Sequence, residues 1–258
     1  MGGWARLLVL ALTGVAGCAY VAVKTPTPAA LYRADEIEHG PPPPHESYYI
    51  LIFGSQSIPK VPRRTHTWAT AVRVTESPTG EPVEVEAHTI SWMPATMFIR
   101  PWRFRVEKGV NLDLHESIQA MSDDGQRVSM WGPYQMRPGA YAKFRMQKAF
   151  LETGRVGYQC IDSTGEAGWT GRGCDCIHAV TDMDAVYDRD RYRLDRYGEA
   201  ASRFIVKQLF ERQTLIAPER THDWLIPRLG IDTFKIERQT YDGPANPYLG
   251  TEPVDDVP

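Results

Sequence analysis

Four cysteines and seven histidines carry most of the reactive chemistry in this sequence. Cys176 stands in Gly173-Cys174-Asp175-Cys176-Ile177-His178-Ala179-Val180, where the spacing predicts the start of a short helix. A thiol in the first turn of a helix is drawn toward its thiolate by the dipole and the free N–H groups. A thiolate is a nucleophile, and an imidazole on a neighbouring strand can take its proton. His66 and His88 lie on two segments predicted to form a hairpin. This combination points to thiol-dependent acyl chemistry. Cys176 attacks an acyl carbon, His66 acts as general base and later protonates the leaving group, and His88 or Glu86 orients His66. Gln56, just past the first predicted strand, is placed to donate a hydrogen bond to an oxyanion. His115 and His178 read as structural, and His39, His45 and His222, beside proline or charge clusters, read as exposed.

Other chemistries find less support. Cys174, Cys176 and His178 alternate as C-x-C-x-H, which converges on one face of a strand but not of a helix. Zinc takes four ligands, or three and a water. The chain has no C-x-x-C, no H-E-x-x-H and no Gly-rich phosphate loop, so the sequence calls for no metal and no cofactor. With 29 Lys and Arg against 32 Asp and Glu, the net charge is −3. No basic excess exists to neutralise a phosphate backbone, which argues against a nucleic-acid partner. Trp68, Trp92, Trp102, Trp131 and Trp169 could line a groove, although aromatic residues on strands more often fill a core.

After Cys18, the remaining cysteines are Cys160, Cys174 and Cys176, an odd number. In an oxidising compartment one of the three is left free or pairs with another chain. A Cys160–Cys174 disulfide would leave Cys176 reduced, whereas Cys174 and Cys176 stand too close in sequence for ordinary disulfide geometry.

The elements that must position these groups are legible as patterns. Residues 48–53 (YYILIF) are a short continuous apolar run, as in a buried strand. Residues 66–74 and 83–92 alternate about a turn at Ser77-Pro78-Thr79-Gly80 and read as an antiparallel hairpin. Helices are expected at 112–123, at 139–152 after Pro138, near Cys174 to Cys176, and at 197–211; strands are expected at 127–131 and 156–161. Strands first and helices later, with hairpin signals, indicate an α+β fold: a small antiparallel sheet packed on helices. Residues 48–240 form the expected single α+β domain, and 241–258, rich in Pro, Gly and Asp, read as a loose C-terminal tail.

The N-terminus reads as an address. Arg6 precedes a short apolar stretch, Leu7 to Val15, too brief to span a bilayer and suited to a signal peptide over 1–17. Val15-Ala16-Gly17-Cys18 resembles the lipobox of bacterial lipoproteins. The resemblance implies that Cys18 carries lipid and becomes the mature N-terminus, so that the membrane is a partner. Ala19, rather than Asp, implies retention at the outer membrane, facing the periplasm. Residues 18–47 then read as the lipidated Cys and a Pro-rich tether. Fully extended, residues 19–47 reach on the order of 90 Å at ~3.1 Å per residue.

A second resemblance lies in the folded part. Thr65-His66-Thr67-Trp68-Ala69, Gly132-Pro133-Tyr134-Gln135-Met136-Arg137-Pro138-Gly139-Ala140-Tyr141, Gly157-Tyr158 and Cys174 to Val180 occur in an order similar to circularly permuted papain-like hydrolases of the NlpC type. That likeness implies a permuted papain-like fold, with Cys176 as nucleophile and His66 on the histidine strand. Asp175 stands where that group has Asn, and Cys174 is the alternative nucleophile. The blocks ILIFGSQ, HTWATAV, EAHTISWMP, GVNLDLH and RVSMWGPY also resemble an uncharacterised bacterial lipoprotein family. The expected function is an envelope-anchored lipoprotein with a thiol-dependent amide or ester hydrolase domain, its substrate a cell-wall (peptidoglycan) peptide or acyl-lipid bond. The alternative is a non-catalytic envelope lipoprotein that binds cell wall or a protein partner.

Overall fold

The computed structural model describes residues 45–103, 105–160, 173–183, 197–240 and 250–253. The elements run β1 (Glu46–Gln56), β2 (Thr65–Glu76), β3 (Pro82–Ile90), β4 (Trp92–Pro94), β5 (Gly109–Asn111), α1 (Leu114–Asp123), β6 (Arg127–Gln135) and α2 (Pro138–Glu152). They continue with β7 (Gly157–Tyr158), β8 (Gly173–Cys174), α3 (Cys176–Thr181), α4 (Glu199–Glu211), α5 (Leu225–Arg228), β9 (Glu237–Gln239) and β10 (Gly250–Pro253). The content is mixed α and β, in line with the α+β expectation.

The main sheet has the order β10-β9-β6-β1-β2-β3. Its β6-β1-β2-β3 part is antiparallel, and β9 joins β6 in parallel. The run Ile50–Phe53 is fully buried, which explains why it is continuously apolar: β1 is covered on both faces. The β2–β3 hairpin closes at Ser77–Glu81, where the Ser77 N–H donates to the Glu81 carbonyl and Gly80 takes φ +86°. L side chains disfavour that conformation, so glycine belongs there.

Alternation along β2 sorts the helices into two layers. On the Thr67 face, Ser202 of α4 bonds to Thr67 Oγ1 and to the Phe53 carbonyl. α3 and α2 join it: Gln147 of α2 donates to the Ala179 carbonyl of α3, and Tyr141 of α2 lies 4.7 Å from the Tyr48 ring. On the opposite face, Trp68 stacks on Phe53 at 5.1 Å. Ser55 bonds to Gln126 just beyond α1, and Tyr49 packs on His222 and Trp224 just before α5.

α1 has a capping box at Asp113 and Glu116, and α2 begins with Pro138 at its first turn. Two boundaries differ from the sequence expectation. Of the strand predicted at 156–161, the described residues, 156–160, form strand at Gly157–Tyr158. Gly250–Pro253, inside the stretch expected to be loose, forms the outermost strand beside β9. At a sheet edge, a proline without an N–H costs no ladder bond, which reconciles that composition with a strand.

α4 approaches the sheet closely at Gly54. A Cβ there would lie 2.7 Å from Ser202 Oγ and 2.9 Å from the Glu199 backbone. Gly54→Ala must push α4 off the sheet and is expected to destabilise the domain by about 1–3 kcal/mol, the usual cost of overpacking. Urea unfolding followed by circular dichroism measures it, and an unchanged midpoint would refute the close approach.

Candidate functional site

His66 sits on β2 with no solvent exposure. Its Nε2 lies 2.9 Å from Ser91 Oγ, and its ring stacks on Trp68 at 5.3 Å. Nδ1 is buried and has no hydrogen-bond partner among the described residues. Burial alone drives its pKa down to about 3, because nothing nearby compensates the charged ring. A base this weak is neutral at any ordinary pH, but it is also a poor proton acceptor.

Cys176 is the first residue of α3, as its sequence context predicts. It is a free thiol, as expected, but it lacks the exposure and acidity of a nucleophile. The sulfur is buried, and its pKa is raised well above the ordinary thiol value. Desolvation is the largest cause, followed by the Asp175 carboxylate and Cys160; backbone hydrogen bonds from Thr67 and from Cys176 itself pull weakly the other way. Asp175 is a helix cap rather than a catalytic neighbour. Its Oδ1 accepts from the backbone of Ile177 and His178 at 2.8 Å, and its Oδ2 lies 2.9 Å from His178 Nδ1. Asp175 therefore fixes the start of α3 while placing a negative charge beside the thiol. Cys160, Cys174 and Cys176 are all free thiols, so the Cys160–Cys174 disulfide considered from the sequence is not formed. Burial also pushes Cys160 up to about 12.

The expected triad is not assembled. The backbone of Thr67 contacts Cys176, and Thr67 faces α3 and α4. His66, one residue earlier, projects from the other face together with Trp68. No hydrogen bond joins the His66 ring to Cys176: its Nε2 is on Ser91, and its Nδ1 has no partner among the described residues. His88 does not orient His66 either. The observed register pairs His88 with Ala71, not with His66, and an even-numbered residue of β3 shares its face with the odd-numbered residues of β2. The turn is centred about two and a half residues later than a 66–88 pairing requires, and that shift reverses the face. His88 instead bonds to Glu86 at 2.8 Å, and Glu86 pairs with Arg73 at 2.7 Å. Burial lowers the His88 pKa despite that carboxylate. Gln56 is buried at the end of β1, between Thr65 and Arg127. Cys18 lies outside the described residues.

Two features escape a reading of the sequence. One is a buried charge cluster. Glu199, at the start of α4, accepts from Arg127 Nε at 2.8 Å and from Ser129 Oγ at 2.7 Å. Arg127 also lies 3.3 Å from Glu237. These residues are far apart in sequence, so no local motif announces them. The other is a cleft of about 500 Å³ beside β3, lined by Val85, Ala87, Thr89, Asn111, His115 and Lys148 among others. The alternation of β3 predicted its faces but not what packs against them.

Among the described residues, no three His, Cys, Asp or Glu side chains converge to hold a metal, and no helix is long and apolar enough to cross a membrane. Comparison with protein-family models, curated proteins and solved structures finds no match.

His66 has a measurable consequence for stability. Its ring takes a proton near 6.5 when unfolded and near 3 when folded. Between those values only the unfolded chain is protonated, so stability falls as the pH drops from 6.5 toward 3, by roughly 1.4 kcal/mol per pH unit for this one group. Above 6.5 its contribution is constant. His66→Gln, which keeps a side-chain partner for Ser91, is expected to flatten the stability profile between pH 6 and 4. An unchanged slope in denaturant titrations would refute a buried, neutral His66.

Proposed function

We propose that this protein is a lipid-anchored envelope protein whose folded domain binds a protein partner and catalyses no reaction. The observation that carries the non-catalytic reading is the state of Cys176. Its thiol is buried and held protonated, and it makes no hydrogen bond with His66, the histidine considered as its base. A nucleophile must reach its substrate as a thiolate, and this one meets neither condition.

The binding reading draws on the free edge of the sheet. Among the described residues, β3 is the outermost strand and pairs only with β2. Val83 is 71% exposed there, and Val85 and Ala87 line the cleft alongside. An edge of unpaired N–H and C=O groups beside an alternating apolar row suits an extended peptide of a partner protein, added as a further strand. The anchor reading rests on Val15-Ala16-Gly17-Cys18 and the Pro-rich stretch behind it. Two or three acyl chains on Cys18 would hold the protein stably at a membrane.

Thiol labelling of the native full chain tests the first half. Cys176 is expected to stay unlabelled at pH 8 over a time in which an exposed thiol reacts completely, and to react in denaturant. Rapid labelling that slows at least tenfold in His66→Ala would restore the hydrolase reading. Cell fractionation tests the second half. The wild-type chain is expected in the membrane fraction and Cys18→Ser in the soluble or unprocessed fraction. A wild-type chain that is already soluble would overturn the anchor.

A further inference from the structure

Residues 95–108 join β4 to β5. Among the described residues of this loop, Trp102 is 72% exposed, Phe98 51% and Met97 41%. Few other large apolar side chains in the described chain are so open, and here three lie within six residues. The loop does not expose them by fraying. The Ala95 N–H donates to the Lys108 carbonyl at 2.8 Å, closing the base of the loop. Glu107 and Tyr158 exchange two backbone hydrogen bonds, at 2.8 and 2.9 Å. Ile99 turns inward and is buried. Met97 is held at φ +56°, a conformation disfavoured for a side chain of its size. The outward display of Met97 and Phe98 is therefore imposed by the surrounding structure.

The charges around these side chains have one dominant sign. Arg100, Arg103, Arg105 and Lys108 accompany a single acid, Glu107, in a chain whose overall charge is −3. Arg100 lies 2.8 Å and Arg103 3.5 Å from Glu107, with the carboxylate mostly buried between them. The Arg100 guanidinium also sits over the Phe98 ring at 5.3 Å. Arg105 and Lys108 are exposed, with no ion pair to Glu107. The loop thus carries a net charge of +3 around an apolar tip.

We propose that this loop is a membrane-docking element, with Trp102, Phe98 and Met97 entering the interface of a bilayer rich in anionic phospholipid and the arginines and lysine meeting its headgroups. A tryptophan ring, apolar with a polar edge, favours the headgroup–acyl boundary. Basic side chains close to the surface are attracted by anionic lipid over about a Debye length. An acidic partner protein would satisfy the charge but gives no reason for three apolar side chains at the tip of a basic loop. Docking does not require lipid on Cys18; where the anchor is present it fixes how the domain lies on the membrane it already occupies.

The test uses the full chain with vesicles containing bromine-labelled acyl chains, either pure phosphatidylcholine or with about a third phosphatidylglycerol. The Trp102 contribution to emission is read as the difference between wild type and Trp102→Phe. It is expected to be quenched at least twofold in the anionic vesicles, and hardly at all in the neutral ones or in 0.5 M salt. Arg105→Glu/Lys108→Glu, which leaves the Glu107 ion pairs intact, is expected to abolish the quenching without moving the thermal melt. Equal emission with and without bromine overturns the proposal. So does Trp102 shielding that appears only with envelope proteins and not with vesicles, which would assign the patch to a protein partner. Repeating the series in Cys18→Ser separates the two readings: lost quenching at saturating lipid refutes the loop, whereas a wild-type chain that is already soluble on cell fractionation, with quenching retained, refutes only the anchor.

Discussion

The pleat of β2 constrains everything around it. This strand is buried from Thr65 to Val72, so each side chain must satisfy its layer without help from water. Successive residues point to opposite layers. Thr67 and Thr70 are hydrogen-bonded, to Ser202 and Thr89 respectively, and His66 finds Ser91. The same alternation that lets a two-sided strand bury polar groups also separates His66 from the helix that presents Cys176. A catalytic pair across such a strand would need its members at positions of the same parity. His66 shares its face with Trp68, and its ring's only hydrogen bond among the described residues is to Ser91.

The chemistry of Cys176 is decided by a contest of magnitudes. A helix N-terminus favours an anion by roughly 0.3–1 kcal/mol when exposed, and by up to ~2 kcal/mol in favourable partly buried sites. Taking a charge out of water costs several kcal/mol even after relaxation. Burial therefore outweighs the dipole, and the Asp175 carboxylate adds to it. α3 is only six residues long, and two of its N-terminal N–H groups, those of Ile177 and His178, are already taken by Asp175, which leaves the sulfur little to gain. The position of a cysteine in a helix start says little about reactivity until its exposure is known.

Much of the architecture was legible because it is written in local patterns. The continuous apolar run of β1, the alternation and turn of the hairpin, Pro138 before α2 and the amphipathic stretch of α4 all appear where the sequence places them. The site was not legible, because it depends on register. The segments carrying His66 and His88 are both strands of one hairpin, as read, yet a shift in the turn centre from 77 to about 79.5 puts the two rings on opposite faces. Alternation fixes which residues share a face within a strand, but the pairing between strands is set by turn geometry that Ser-Pro-Thr-Gly alone does not specify. Trp102 marks a different limit. Trp68, Trp92 and Trp131 fill the core while Trp102 is exposed, and nothing in residue type distinguishes them.

The Arg127–Glu199 pair shows how the layers are kept in place. Its partners come from β6 and α4, residues 72 apart, and the carboxylate is almost fully enclosed. An exposed pair such as Arg64–Asp124 contributes ~0–1 kcal/mol. Here a carboxylate left without its arginine would be stranded next to Gly54, at a close helix-to-sheet contact, and such losses cost ~3–5 kcal/mol. Pairing does not by that fact make the domain more stable than an apolar contact would, since both ions first had to be desolvated. What it does is specify: only one placement of α4 gives Glu199 both Arg127 and Ser129. Gly54 allows the approach, and the ion pair selects it. The helix that covers Thr67 is thereby held in position, and with it the layer in which Cys176 is buried.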